Sequence, residues 1–321
     1  MNTRFATSTL AILGSAIALL MPGTSQAGNV GYFDMCGGNQ AAHAAAITAA
    51  GHTPVAVTTP DAETLSNLDA LSVTNCSNSN FGSNYTSNLA AITSAVNGGM
   101  VLIVHDRFVT GAGGILPGGG SLNAVRNTDS GNADIDFPGG SPIISGPGGV
   151  LNNTSLDGGN SSTHGYVTAA SLPAGGSLLA IRPTGGVGEG GFTTCAAEGY
   201  TGTQLTWCRN ICEIEQTPSA LKTWIRRWVD RFHSDPPCAG APPPSSMEGA
   251  TVQYPYGEGR VIYSTIPLDY YLGGSGPNPP RDNFNTVYLP NVIGWALPPP
   301  VLDKQAKQAQ ARRAPSGGRV K

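Results

Sequence analysis

Between Gly98-Gly99 and His105-Asp106 lies Met100 to Val104, a run of apolar side chains with no polar interruption. A short run of this kind reads as a central strand buried on both faces, since a strand exposed on one face would alternate. The preceding residues agree. Val30 to Phe33 is a short apolar run leading to the Gly37-Gly38-Asn39 turn, and Gln40 to Ala50 is an Ala-rich helix stopped by Gly51. Pro54 to Val57 and Ala70 to Thr74 read as strands, and Tyr85 to Val96 as a helix carrying Leu89, Ile92 and Val96. Strand-helix-strand succession implies parallel strands joined by right-handed crossovers, an α/β sheet with helices on both sides. The pattern resumes late, with the strand Gly259 to Thr265 and a closing helix over Val287 to Leu297. That helix is expected to be interrupted near Pro290 and stopped by Pro298-Pro299-Pro300.

Between these halves the character changes. Residues 111 to 190 are Gly-rich, with apolar pieces such as Pro142 to Ile144 and Leu178 to Ile181, and predict loops and short β elements decorating the sheet. Residues 192–240 hold Cys195, Cys208, Cys212 and Cys238 together with three of the four tryptophans. Leu221, Trp224, Ile225, Trp228, Val229 and Phe232 recur at spacings of three and four, the stripe of an amphipathic helix capped by Thr217-Pro218. The reading is a disulfide-stapled helical hairpin inserted into the α/β domain. Zinc is the other option, but these spacings lack the C-x2-C knuckle of structural zinc sites. Hairpin geometry favours Cys208–Cys238 with Cys195–Cys212 among the three possible pairings.

The expected organisation is thus a leader over 1–27, a discontinuous α/β domain over 28–191 and 247–300, the insert at 192–240, a Pro-rich spacer at 241–246 and a disordered basic tail at 301–321. The leader carries Arg4, an apolar stretch from Leu10 to Leu20 and the small-residue ending Ser25-Gln26-Ala27, the pattern of an export signal. All six cysteines follow it, so they are expected to be oxidised in a secreted or periplasmic protein. No later apolar stretch is long enough to span a bilayer. A net charge of −3, with the only basic run in the tail, excludes a nucleic-acid partner of the usual phosphate-binding kind.

The strand-turn-helix at Val30 to Ala50, the strand from Gly98-Gly99-Met100 to Asp106 and the segment Tyr256-Gly257-Glu258-Gly259-Arg260-Val261-Ile262-Tyr263-Ser264-Thr265 resemble the class I glutamine-amidotransferase-like superfamily, in its secreted or ThuA-like branch. The resemblance covers residues 29 to 190 and 247 to 297. It implies a flavodoxin-like, doubly wound, mostly parallel sheet. Catalytic members of the family carry a nucleophilic cysteine on a G-x-C-x-G elbow after a central strand. No such string occurs here. Asp34-Met35-Cys36-Gly37-Gly38 lacks the first glycine and follows the first strand, so the family's catalytic triad is not carried over.

In a flavodoxin-like strand order, Cys36 after the first strand and Cys76 after the third lie on neighbouring strand ends and are expected to form a disulfide across the ligand rim. His105, Asp106 and Arg107 emerge from the central strand at that rim. With Asp34 and Asn39 they are the expected ligand pocket, unless they form an Asp-Arg pair and a capping Asn that hold loops in place. His164, after a Gly- and Asn-rich loop, is a candidate acid/base or ligand at the same rim unless it is a hydrogen-bonded loop residue. Asp269, after the late strand, is a ligand-binding candidate there, with Tyr270 and Tyr271 forming a packed corner or a sugar-binding surface. Asp34, Asp106 and Asp269 suit calcium by ligand type but lack its loop motif, so no metal is assigned. No P-loop, G-x-G-x-x-G, H-E-x-x-H or G-x-S-x-G occurs, and no cofactor is expected.

The expectation is therefore an exported binding or interaction module without amidotransferase chemistry, its partner an extracellular glycan or protein. The alternative is a secreted hydrolase working on a glycan or peptide through His105, Asp106 and His164.

Overall fold

A computed structural model describes residues 27–37, 40–128, 134–159, 162–182 and 247–297. Asn39, the insert with Cys195, Cys208, Cys212 and Cys238, the spacer, the tail and all of the leader except Ala27 lie outside the described residues.

The first half alternates as its periodicity requires. β1 (Asn29–Asp34) is followed by α1 (Gln40–Ala49), β2 (Thr53–Ala56), α2 (Ala62–Leu65), β3 (Ala70–Asn75), α3 (Ser83–Ser87), α4 (Leu89–Asn97) and β4 (Val101–Asp106). Every residue of β3 and β4 is buried, as expected of strands covered on both faces. β2 carries Pro54 and is only half-buried, which suits an edge strand. The helix expected from Tyr85 to Val96 is two helices that meet at Asn88. The Asn88 side chain donates to the Asn84 carbonyl at 2.7 Å, a local bond that competes with regular helix.

β5 (Ala124–Arg126), the hairpin of β6 (Ser145–Gly146) and β7 (Gly149–Val150), β8 (Gly165–Thr168) and β9 (Ser177–Arg182) come from the Gly-rich stretch. After them stand β10 (Glu248–Tyr256), β11 (Gly259–Ser264), α5 (Leu268–Leu272), α6 (Pro280–Asn283), a π turn over Phe284–Tyr288 and α7 (Leu289–Ala296). The closing helix thus begins as a π turn, and Pro290, where an interruption was expected, stands just inside α7 at the step from that turn into regular helix.

One nine-stranded sheet runs β2-β1-β3-β4-β11-β10-β8-β5, with β9 also on β10. The pairs from β2 to β11 are parallel, and those made by β10, β8 and β5 are antiparallel. The short strands expected as decoration, apart from the β6–β7 hairpin, therefore extend the sheet itself. β10 and β11 are joined through Gly257-Glu258, with Gly257 at φ +58, the left-handed start that a two-residue hairpin loop demands. Gly259 opens β11 against the end of α4. A Cβ there would lie 2.3 Å from the carbonyl oxygens of Val96 and Met100, so only glycine fits.

Strand alternation divides the core in two. Val101 and Ile103 pack with Ile47 of α1, Tyr288 of the π turn and Val292 of α7 on one face. Leu102 and Val104 pack with Tyr85, Ile92, Val96 and Tyr263 on the other. Among the described residues no helix is long and apolar enough to cross a membrane.

Candidate functional site

The parallel strands end together at one rim: β1 at Asp34, β3 at Asn75, β4 at Asp106 and β11 at Ser264. In open α/β sheets this carboxyl rim is where ligands bind. Here the ends of β1 and β3 are cross-linked by a Cys36–Cys76 disulfide with Cα atoms 6.0 Å apart, the bridge expected from the sequence. The turn that carries Cys36 is held locally. Asp34 Oδ1 accepts the Cys36 N–H at 2.8 Å, the Asp34 carbonyl accepts the Gly37 N–H at 3.1 Å, and Met35 N–H reaches the Thr74 carbonyl at 3.0 Å.

His105 and Asp106 are adjacent in sequence but project to opposite faces of the sheet. His105 follows Ile103 to the α1 and α7 face, where its Nε2 lies 3.3 Å from the Tyr288 hydroxyl. Asp106 follows Val104 to the other face and receives the Tyr263 hydroxyl at 2.9 Å. It also accepts Asn75 Nδ2 at 2.9 Å, the Phe108 N–H at 2.8 Å and the Val109 N–H at 2.9 Å. Burial pushes the Asp106 carboxyl up from its ordinary value, and these donors oppose that shift. They also close the turn after β4, in which Val109 is fully buried at φ +64. A β-branched residue in that region is strained, and Asp106 is the group that holds it there.

Arg107 is the next residue at the rim. Its Nη2 meets Asp269 Oδ2 at 2.8 Å, and its guanidinium carbon lies 5.7 Å from the centre of the Tyr270 ring. Its carbonyl accepts hydrogen bonds from Arg126 Nη1 and, at 3.0 Å, from His164 Nδ1. Burial raises Asp269 to about 6, with Arg107 drawing it down and the charge of Asp34 pushing it up. Burial lowers His164 to about 4. Arg107, His164, Asp269 and Asp34 thus belong to one electrostatic neighbourhood, and Asp106 faces away from it.

Behind the rim, on the His105 face, is a buried polar group that the sequence reading passed over. His43 of α1 lies 2.7 Å from the Ser72 hydroxyl, and the Tyr288 hydroxyl lies 2.7 Å from Thr251 Oγ1 and 3.3 Å from Ser264 Oγ. Burial lowers His43 to about 4 and His105 to about 3, the latter also repelled by His43. His105 Nδ1 is buried and has no hydrogen-bond partner. A lone histidine inside an Ala-rich helix, and an Asn at the end of an apolar strand, are the signals that would have flagged His43 and Asn75.

Among the described residues, the side chains with metal-ligating atoms in one place are Asp34, Cys36 and Cys76, all within 4.8 Å of one another. The carboxylates of Asp34, Asp106 and Asp269 do not converge in that way.

No family model, curated protein or solved structure matches this chain. What the fold and the rim define is a class: an α/β protein with a mixed, mostly parallel sheet whose carboxyl rim is crossed by a disulfide.

Proposed function

We propose that this chain is an exported protein of flavodoxin-like, amidotransferase-like architecture that binds an extracellular ligand at its carboxyl rim without transforming it. The strand order β2-β1-β3-β4-β11 supports the architecture, since it matches the 2-1-3-4-5 order of such sheets. The leader pattern of residues 1–27 and the disulfide support export.

The observation that carries the binding reading is Cys36–Cys76. It lies across β1 and β3, the switch point at which this kind of sheet opens its crevice, and it ties up both sulfurs there. Around it, Arg107, Asp269 and Asp34 offer a donor and acceptors beside the Tyr270 ring, a combination suited to sugar hydroxyls or a polar protein segment. The hydrolase alternative needs His105, Asp106 and His164 to converge, and the first two point to opposite faces.

The test is binding and turnover measured on the full chain. Retention on a glycan panel or on immobilised extracellular proteins that is lost in Arg107→Ala, with no hydrolysis of glycoside, ester or peptide substrates, supports the reading. Hydrolysis that disappears in His105→Ala and His164→Ala would replace it with the enzyme.

A further inference from the structure

We propose that Asp34, Cys36 and Cys76 form a binding site for a soft divalent cation of the zinc type, closed while the disulfide is formed and opened by its reduction. The inference goes beyond the ligand reading of the rim and needs only these three side chains.

The placement of the sulfurs is set by the sheet. β1 and β3 pair in parallel from Val30↔Ala70 to Asp34↔Thr74, and the Met35 N–H bond to the Thr74 carbonyl extends the pairing past the strand ends. The 6.0 Å between the two Cα atoms therefore outlasts the S–S bond. A tetrahedral cation with metal–sulfur bonds of ~2.3 Å places its two sulfurs ~3.8 Å apart. Rotation of the two short side chains is enough to provide that spacing from this backbone. A carboxylate oxygen of Asp34 already lies within 4.8 Å of both sulfurs, and the Cys36 N–H on Oδ1 fixes the orientation of the carboxylate. Two thiolates and a carboxylate are a donor set that zinc accepts. Three protein ligands leave the fourth position to water or to a ligand at the rim.

Access favours the exchange. Cys36 is exposed and Cys76 half-buried, so a dithiol reductant reaches the sulfurs from solvent. In that step the Cys36–Cys76 bond breaks, two electrons pass to its sulfurs, and the dithiol leaves as its own disulfide. Cys36 and Cys76 take up the two protons that the dithiol gives up. Binding of the cation then displaces those two protons to solvent. The oxidised and the metal-bound rim exclude one another, because each uses the same two sulfurs.

The test uses the full chain and cobalt(II), whose thiolate charge-transfer absorption reports sulfur ligation. Oxidised protein is expected to give no such band. After reduction with a water-soluble phosphine, the chain is expected to bind one cobalt equivalent more than the Cys36→Ser/Cys76→Ser variant, a difference that removes the other cysteines from the count. Zinc(II) is expected to displace this cobalt. Asp34→Asn is expected to weaken binding by roughly tenfold or more, the loss seen when even a residue that only supports a ligand is removed. Equal cobalt uptake by reduced wild type and the double variant overturns the proposal, as does unchanged affinity in Asp34→Asn. Should the double variant fail to fold, alkylation of the reduced wild-type chain decides. Zinc(II) is expected to protect Cys36 and Cys76 in mass spectra, and alkylation of both at the metal-free rate overturns the site.

Discussion

The guanidinium of Arg107 and the carboxylate of Asp269 meet at 2.8 Å, joining the turn after β4 to the first turn of α5. The carbonyl of the same arginine accepts His164 from the loop before β8 and Arg126 from β5. One residue thus ties the turn after β4 to α5, to the loop before β8 and to β5. The rim keeps its shape through Arg107 as much as through the disulfide.

That position makes Arg107 costly to remove. Both side chains of the pair are largely buried, at 17% and 6% exposure, so truncating one leaves a charge without its partner. Arg107→Ala is expected to destabilise by about 2–3 kcal/mol, less than for a fully buried pair because water still reaches the guanidinium. Adding Asp269→Asn is expected to recover part of the loss, since it removes the stranded carboxylate. Urea denaturation of the two single variants and the double variant checks this. Strictly additive losses would show that the pair is not coupled.

Val109 offers a different kind of test. It is fully buried at φ +64, so Val109→Gly loses an apolar side chain and releases backbone strain together. The two effects are of similar size, about 1–3 kcal/mol each, and the net change is expected to stay within about 1 kcal/mol. Val104→Gly, in the neighbouring strand, has no strain to release and is expected to cost about 3 kcal/mol or more. Equal losses at the two positions would mean that the turn after β4 stores no strain.

The parts of this fold that were legible in the sequence are those where one face or both faces are buried along a continuous stretch. β4 announces itself by the uninterrupted apolar run Met100 to Val104, and α1 by its alanines and Gly51. β10 did not, because Gly249, Gln253 and Pro255 break its pattern and its partners β8, β9 and β11 lie elsewhere in the chain. At the site, position after the first and third strands put Cys36 and Cys76 on neighbouring strand ends, whereas His105 and Asp106, read as following the central strand, are its last two residues and are buried, and only Arg107 lies beyond it. Strand alternation alone separates His105 from Asp106, so their failure to converge was readable from adjacency. Tyr288 was not, since only the π turn before α7 turns its hydroxyl toward His105.

The disulfide closes a loop between residues 40 apart in sequence, which confines the unfolded chain. Loop-closure entropy for that length amounts to about 4 kcal/mol, and native bridges deliver about 2–4 kcal/mol of it. The Cys36→Ser/Cys76→Ser variant is expected to lose that much in urea under non-reducing conditions. Its denaturant dependence should steepen, because the freed unfolded chain exposes more surface. An unchanged midpoint would mean that the β1–β3 ladder fixes the rim without help.

Acid should act through the buried histidines, and the sign follows from proton counting. His43 and His164 at about 4 and His105 at about 3 are all lowered from 6.5 by burial. Between 6.5 and those values the unfolded chain binds more protons than the folded one, so stability falls as pH drops through this window. Asp269, raised to about 6, acts in the opposite direction, as do the raised Asp106 and Glu248, because the folded chain then holds their protons more tightly. His105→Asn removes one destabilising titration and is expected to flatten the decline below pH 6.5. Asp269→Asn removes an opposing one and is expected to steepen the decline below about pH 6. Melting temperatures recorded from pH 8 to pH 4 for the wild type and both variants separate the two effects. Since His43 repels the charged form of His105, a His43→Asn variant should also raise the pH at which His105 takes its proton. A His105→Asn profile parallel to that of the wild type would remove the buried histidine pair from the account of acid stability.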